Sequence, residues 1–265
     1  MNKLVATAFL IGMATSTTVW GADLVQLEPE VTLPPPPPLR GTIESFGYIY
    51  VAATAFSFPA LSSSVQEAAT LGGKFAYDPI DHSLGFQLDG NADYAVSGQN
   101  LSYAQATGHI TKAISDETKI GAFAAIDKSS RAAVGFEVLT TLSDRTWAQT
   151  QTALLDATQT GTLAIGVGAS IHHRLGDNWN LRGDLNYVNF SSLGVSSYGG
   201  DAALQYTLET IPVSLGVSAG YNYVTAAGLG VGEYLASAKV QYSFGGPSDG
   251  VRGKLFRTNA LGLTP

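Results

Sequence analysis

Alternate positions along this chain differ in polarity. The stretch "NWNLRGDLNY" (178–187) puts Trp179, Leu181, Gly183, Leu185 and Tyr187 on one side and Asn178, Asn180, Arg182, Asp184 and Asn186 on the other. A period of two predicts a β-strand with one apolar and one polar face. The same pattern sets Leu84, Phe86, Leu88, Ala92, Tyr94 and Val96 against Gln87, Asp89, Asn91 and Asp93. It sets Leu163, Ile165, Val167, Ala169 and Ile171 against Ala164, Gly166, Gly168 and Ser170. Near the end of the pattern, Tyr234, Ala236, Ala238, Val240, Tyr242 and Phe244 oppose Ser237, Lys239, Gln241 and Ser243.

Counting the weaker segments, the pattern predicts twelve strands, near 42–56, 70–77, 83–96, 101–113, 117–127, 131–141, 147–156, 161–173, 178–190, 200–208, 212–224 and 232–244. Ten is the alternative. The faces of the first, fourth and seventh stay ambiguous. Beyond residue 40, proline occurs only at Pro59, Pro79, Pro212, Pro247 and Pro265, outside strand interiors or at strand starts, as a hydrogen-bonded ladder requires. Every second link is expected to be a tight turn: "DPIDH" (78–82), "SDET" (115–118), "SDRT" (143–146), "LGDN" (175–178) and "ETIP" (209–212). The others are expected to be more variable, as in "SFPALSSSVQEAA" (57–69) and "SSLGVSSYGG" (191–200).

The pattern leaves open which face meets water. Several segments run eleven residues or more, the length of a tilted membrane strand, about 9–11 residues, rather than the roughly 5–6 of a globular one. The charges Asp89, Asp93, Lys119, Glu137, Arg182, Asp184 and Lys239 all fall on the face opposite the apolar one. A Lys or Arg on a lipid-facing surface at mid-bilayer costs roughly 2–4 kcal/mol, so this segregation favours lipid outside. The polar face is also rich in Gly, Ala and Ser, a poor water-facing sheet but a good lining for a lumen. These seven charges are therefore the candidate pore-lining residues. Trp147, Trp179, Tyr221, Tyr223, Tyr242 and Phe244 are the candidate aromatics of the membrane interfaces. The predicted fold is all-β, a transmembrane antiparallel up-and-down β-barrel.

Composition sharpens the picture. Charged residues make up 13% of the chain, about half the roughly 25% of soluble proteins, while 45% are hydrophobic. No internal run reaches the roughly 20 apolar residues of a membrane helix. The formal net charge of −7 and the lack of a basic patch exclude nucleic acid as an expected partner. With no cysteine, disulfide scaffolds and thiol chemistry are excluded.

The first residues read as an export signal, 1–22. Lys3 is followed by an apolar run, Leu4 to Ala14, too short to cross a bilayer. Cleavage falls after Gly21 or Ala22. Residues 23–40 include Pro34 to Pro38 and read as an extended periplasmic linker. The barrel occupies 41–244, and a tail of 245–265 lies in the periplasm or enters the lumen.

The "ADLV" start after the signal, the proline-rich leader, the strand "SFGYIYVAA" and the closing "AKVQYSF" resemble small porin-like outer-membrane barrels of Gram-negative bacteria, of the alphaproteobacterial type. The resemblance implies an outer-membrane location with periplasmic termini, contact with outer-membrane lipid, and insertion by the barrel-assembly machinery through the 238–244 strand. In that family the aromatic strand usually ends the chain. Here residues continue past Phe244.

No enzymatic constellation is present. There is no G-x-S-x-G elbow, H-E-x-x-H motif or P-loop. His172 and His173, adjacent on a strand, point to opposite faces and cannot share a metal. Asp81 and His82 read as turn residues. Asp89 and Asp93 stand about 13 Å apart along one strand, too far to share a proton. No metal and no cofactor is expected. The expected function is passive diffusion of small hydrophilic solutes with weak cation preference, since four acids face three bases in the lumen. A closed structural or surface barrel without transport is the alternative.

Overall fold

The computed structural model describes residues 41–57, 63–79, 83–95, 103–157, 162–244 and Phe256. The export signal, the proline-rich linker, Asp81 and His82, and the tail apart from Phe256 lie outside the described residues.

The period-two segments become twelve strands: β1 (Gly41–Ser57), β2 (Ser63–Pro79), β3 (Leu84–Ala95), β4 (Tyr103–Ala113), β5 (Thr118–Asp127), β6 (Ala132–Ser143), β7 (Thr146–Ala157), β8 (Thr162–Arg174), β9 (Trp179–Phe190), β10 (Val195–Thr207), β11 (Val213–Ala226) and β12 (Leu229–Phe244). Each pairs antiparallel with its neighbours in sequence. β12 returns to β1, from Gly47↔Phe244 to Ser57↔Tyr234, and closes the barrel. Closure removes the unpaired edge that an open sheet would expose, so every ladder finds a partner. With an even number of strands, Gly41 and Phe244 lie at one end, here called the near end; the β1–β2 link marks the far end.

Local chemistry explains the sharpest features. The β11–β12 turn has only two residues, Ala227 (φ 49) and Gly228 (φ 82). Positive φ at both central positions is the turn whose twist matches a hairpin. Where the barrel closes, Gly47 lies beneath the Phe244 ring. A Cβ there would sit 2.3 Å from the ring carbon Cε2, so any larger residue would have to displace the ring.

Two strands start earlier than expected. β2 begins at Ser63 and β10 at Val195, so the links shrink to 58–62 and 191–194. The polar and glycine-rich stretches "SSVQEAA" and "VSSYGG" have low strand propensity. They extend the ladder because β1 and β9 already offer backbone partners. The expected contrast in link length between the two ends is therefore slight.

Exposure alternates along the strands and assigns the faces. Large apolar side chains such as Leu88, Ile120, Phe136, Ile165, Leu185 and Val240 are exposed on the outside all the way round. In water such a continuous belt would far exceed the few hundred Å² a soluble monomer tolerates. Charged residues on the outer face of the described strands are confined to the ends: Glu67 and Asp156 toward the far end and Lys112 toward the near end.

Outer aromatics recur eight residues apart: Phe86 and Tyr94 on β3, Trp179 and Tyr187 on β9, Tyr206 and Tyr198 on β10, Tyr242 and Tyr234 on β12. Eight residues span about 26 Å of strand. At a tilt of about 35–45° that is roughly 20 Å of height, close to the apolar band of a membrane barrel.

Candidate functional site

The strands carry their alternate residues into the barrel. All seven charges expected in the lumen lie on the inner face: Asp89 and Asp93 on β3, Lys119 on β5, Glu137 on β6, Arg182 and Asp184 on β9, and Lys239 on β12. They form two groups on different walls.

One group is packed. His109, on β4, brings Nδ1 to 2.6 Å from Glu137 and Nε2 to 3.2 Å from Asp89. The Gln87 amide donates to both Asp89 oxygens at 2.9 Å, and Lys74 lies 3.6 Å from the same carboxylate. Gly121 makes room for Glu137: a Cβ would sit 2.8 Å from its Oε1. Lys119 pairs with Asp78 at 2.9 Å. The side chains of His109, Asp89 and Glu137 are 1, 4 and 0% exposed. Ions this deep are tolerated only when paired, because their desolvation costs several kcal/mol each.

Phe256 belongs to this group. It is the one described residue beyond β12, and it is completely buried inside the barrel. Its backbone N–H donates to Gln87 Oε1 at 3.0 Å, and its carbonyl accepts from Gln87 Nε2 and from Lys74 Nζ, each at 2.7 Å. Its ring stacks on His109, with centroids 6.1 Å apart and planes 9° apart, and packs with Leu139 and Trp147. Toward the far end, Phe123, Ala125, Ala133, Ala153, Leu155 and Ala164 form an apolar cluster on the same inner wall, with Val188 and Phe190 against it.

The second group is open. Arg182 on β9 donates from Nε to Asp184 and from Nη2 to Asp201 on β10 at 3.0 Å. Here Arg182 and Asp201 are 28 and 37% exposed. Their neighbours on β10 and β11 are small or uncharged: Gly199, Ala203, Gly216, Ser218 and Gly220. Lys239 lies beside Gln241 and over the Tyr50 ring, 5.6 Å from its centroid.

The same closed-barrel fold is found in outer-membrane channel proteins. Among solved structures, it is similar to the KdgM porin at a TM-score of 0.50 and 10% identity, covering 74% of this chain and 99% of that one. It is similar also to the CymD monoaromatic hydrocarbon channel at a TM-score of 0.51 and 8% identity, covering 77% of this chain and 89% of that one. No family model matches the chain, and no curated protein matches it in sequence. At these identities the likeness is one of fold, and nothing in it bears on bacterial lineage.

Of the expected interface aromatics, Trp179, Tyr221, Tyr223, Tyr242 and Phe244 lie on the outer face. Trp147 does not. It points inward, is buried, and stacks on His172 with centroids 5.0 Å apart. The parity of β7 decides this. Gln149 and Gln151 share the inner face with Trp147, while Thr150 and Thr152 lie outside, so neither face of that strand stands out as apolar in sequence. His173 takes the opposite face from His172 and bonds Thr146 Oγ1 at 2.8 Å.

Inner-face ionisable residues that sequence reasoning missed include Lys74, Asp78, His109, Asp127, Arg174, Asp201 and Glu233. Asp201 lay in a stretch read as a link and strand boundary, and His109 in a strand whose two faces look alike. A polar inner row, Gln105, Thr107, His109 and Thr111, was the available signal on β4.

Proposed function

We propose that this protein is a porin-like channel of the bacterial outer membrane, for passive diffusion of small hydrophilic solutes with a weak cation preference. The observation that carries the reading is the division of one closed wall into an apolar outer face and a charged inner face. Along the partly exposed inner face of β9–β12, Asp184, Asp201 and Glu233 stand against Arg182 and Lys239, three acids to two bases, and acidic linings favour cations. The strand ends at Gly41 and Phe244 share one end, consistent with periplasmic termini, and the outer belt is suited to contact with outer-membrane lipid. The 238–244 strand, which closes the barrel against β1, is the expected handle for the assembly machinery. The CymD channel is one for monoaromatic hydrocarbons, whereas this inner wall is polar and charged, so solute identity is left to the inner wall rather than to the shared fold.

One observation favours a second reading, a closed barrel without transport: Phe256 and the apolar cluster fill part of the interior. Planar-bilayer recording of the folded protein separates the two. Stepwise currents with a reversal potential toward that of the cation are expected in a salt gradient. A silent, correctly folded, heat-modifiable barrel would support the closed reading.

A further inference from the structure

Facing inward and facing water are different properties in this barrel. The inner side of β3–β7 is polar, yet its side chains are buried: Gln87, Asp89, Gln105, Thr107, His109, Glu137, Gln149 and Gln151 are all below a tenth exposed. They are covered by one another and, around His109, by Phe256. The inner side of β9–β12 keeps most of its side chains partly exposed, with Ser214, Gln241 and Ser243 buried toward the near end. The contrast is strongest between two ion clusters that each lie away from the strand ends. His109 and Glu137 are shut off, whereas Arg182 and Asp201 are wetted.

Phe256 is held as a ligand would be. A single side-chain amide, Gln87, reads both its backbone N–H and its carbonyl, the ammonium of Lys74 adds a charge-assisted bond to the same carbonyl, and His109 receives the ring face. The 245–255 link can span up to about 40 Å, which is ample to bring residue 256 inside from the rim where β12 ends.

Resting on the channel reading above, we propose that the conducting path is confined to the β9–β12 wall. In this arrangement Arg182, Asp184 and Asp201 are the specificity-determining residues, and Phe256 seals the β3–β7 side. Asp89, Lys119 and Glu137, although inward, then take no part in selecting ions. Asp184, Asp201 and Glu233 outweigh Arg182 and Lys239 by one charge, so this wall draws small cations and the neutral solutes that fit beside them.

The chain has no cysteine, so single cysteines report their own surroundings. Full-length Ser218→Cys (open wall) and Thr107→Cys (sealed wall) are folded into lipid and treated with a cationic methanethiosulfonate, with labelling read by mass and by single-channel current. The expected result is rapid labelling and loss of current for Ser218→Cys and neither for Thr107→Cys. Adding Phe256→Ala to Thr107→Cys is expected to make residue 107 reactive. In a salt gradient, Asp201→Asn is expected to shift the reversal potential toward anions, Arg182→Gln toward cations, and Asp89→Asn to leave it in place.

Equal labelling at both cysteines, or a selectivity shift with Asp89→Asn but not Asp201→Asn, would overturn the proposal while leaving a channel. Labelling confined to Ser218→Cys in a protein that carries no current would uphold the wet wall but sink both the channel reading and the selective role of Arg182, Asp184 and Asp201.

Discussion

The β3–β7 and β9–β12 walls are built by the same rules and used differently. Both alternate apolar outside with polar inside, and both place carboxylates beside a nitrogen base. On β3–β7 the base is His109, locked between Asp89 and Glu137 under the Phe256 ring. On β9–β10 it is Arg182, open to the lumen between Asp184 and Asp201. Water access makes the difference. A buried ion cluster holds the wall together at the cost of desolvation, whereas an exposed one contributes little to stability and remains available to a passing ion.

The largest expected effect comes from breaking the packed side. His109→Ala leaves two buried carboxylates without their shared partner and should cost about 3–5 kcal/mol, read as a lower urea midpoint for folding in lipid. A loss below about 1 kcal/mol, the range of exposed ion pairs, would erase the distinction between the two walls.

What the walls share is their outside. Val167→Arg, at the middle of β8 on the exposed outer face, should cost about 2–4 kcal/mol in a bilayer. A neutral result would mean that this face does not meet lipid.

Packing density gives a smaller and more discriminating contrast. Ala133, 2% exposed in the far-end cluster, should tolerate leucine poorly, at about 1–3 kcal/mol, because nothing around it can yield. Ser218→Leu, on the open wall, should stay within about 0.5 kcal/mol. Similar midpoints for the two variants would show both interiors equally filled.

The smallest stability change is expected at Asp201→Asn, about 0–1 kcal/mol by thermal shift of gel mobility, since a part-exposed pair adds little. Its effect should appear in ion selectivity instead. A stability loss comparable to that of His109→Ala would place Asp201 with the structural ions.

Much of this architecture is local and so was legible in the sequence. Strand formation and the two rows of each strongly alternating segment follow from period two, and the segregation of charge assigns the apolar row to the outside, as in Trp179–Tyr187 and Tyr234–Phe244. Where both rows are polar or small, as in β4 and β7, periodicity carries no sign, and only closure of the barrel sent His109 and Trp147 inward. Water access was settled last, and only in three dimensions. His109 meets Glu137 across 28 residues and Gln87 meets Phe256 across 169, so the covering of one side chain by another depends on pairs that no stretch of sequence contains. The sequence by itself determined which side chains face the lumen on the clear strands. The tertiary structure decided which of them the lumen can reach, because burial is a property of neighbours in space and alternation a property of neighbours in the chain.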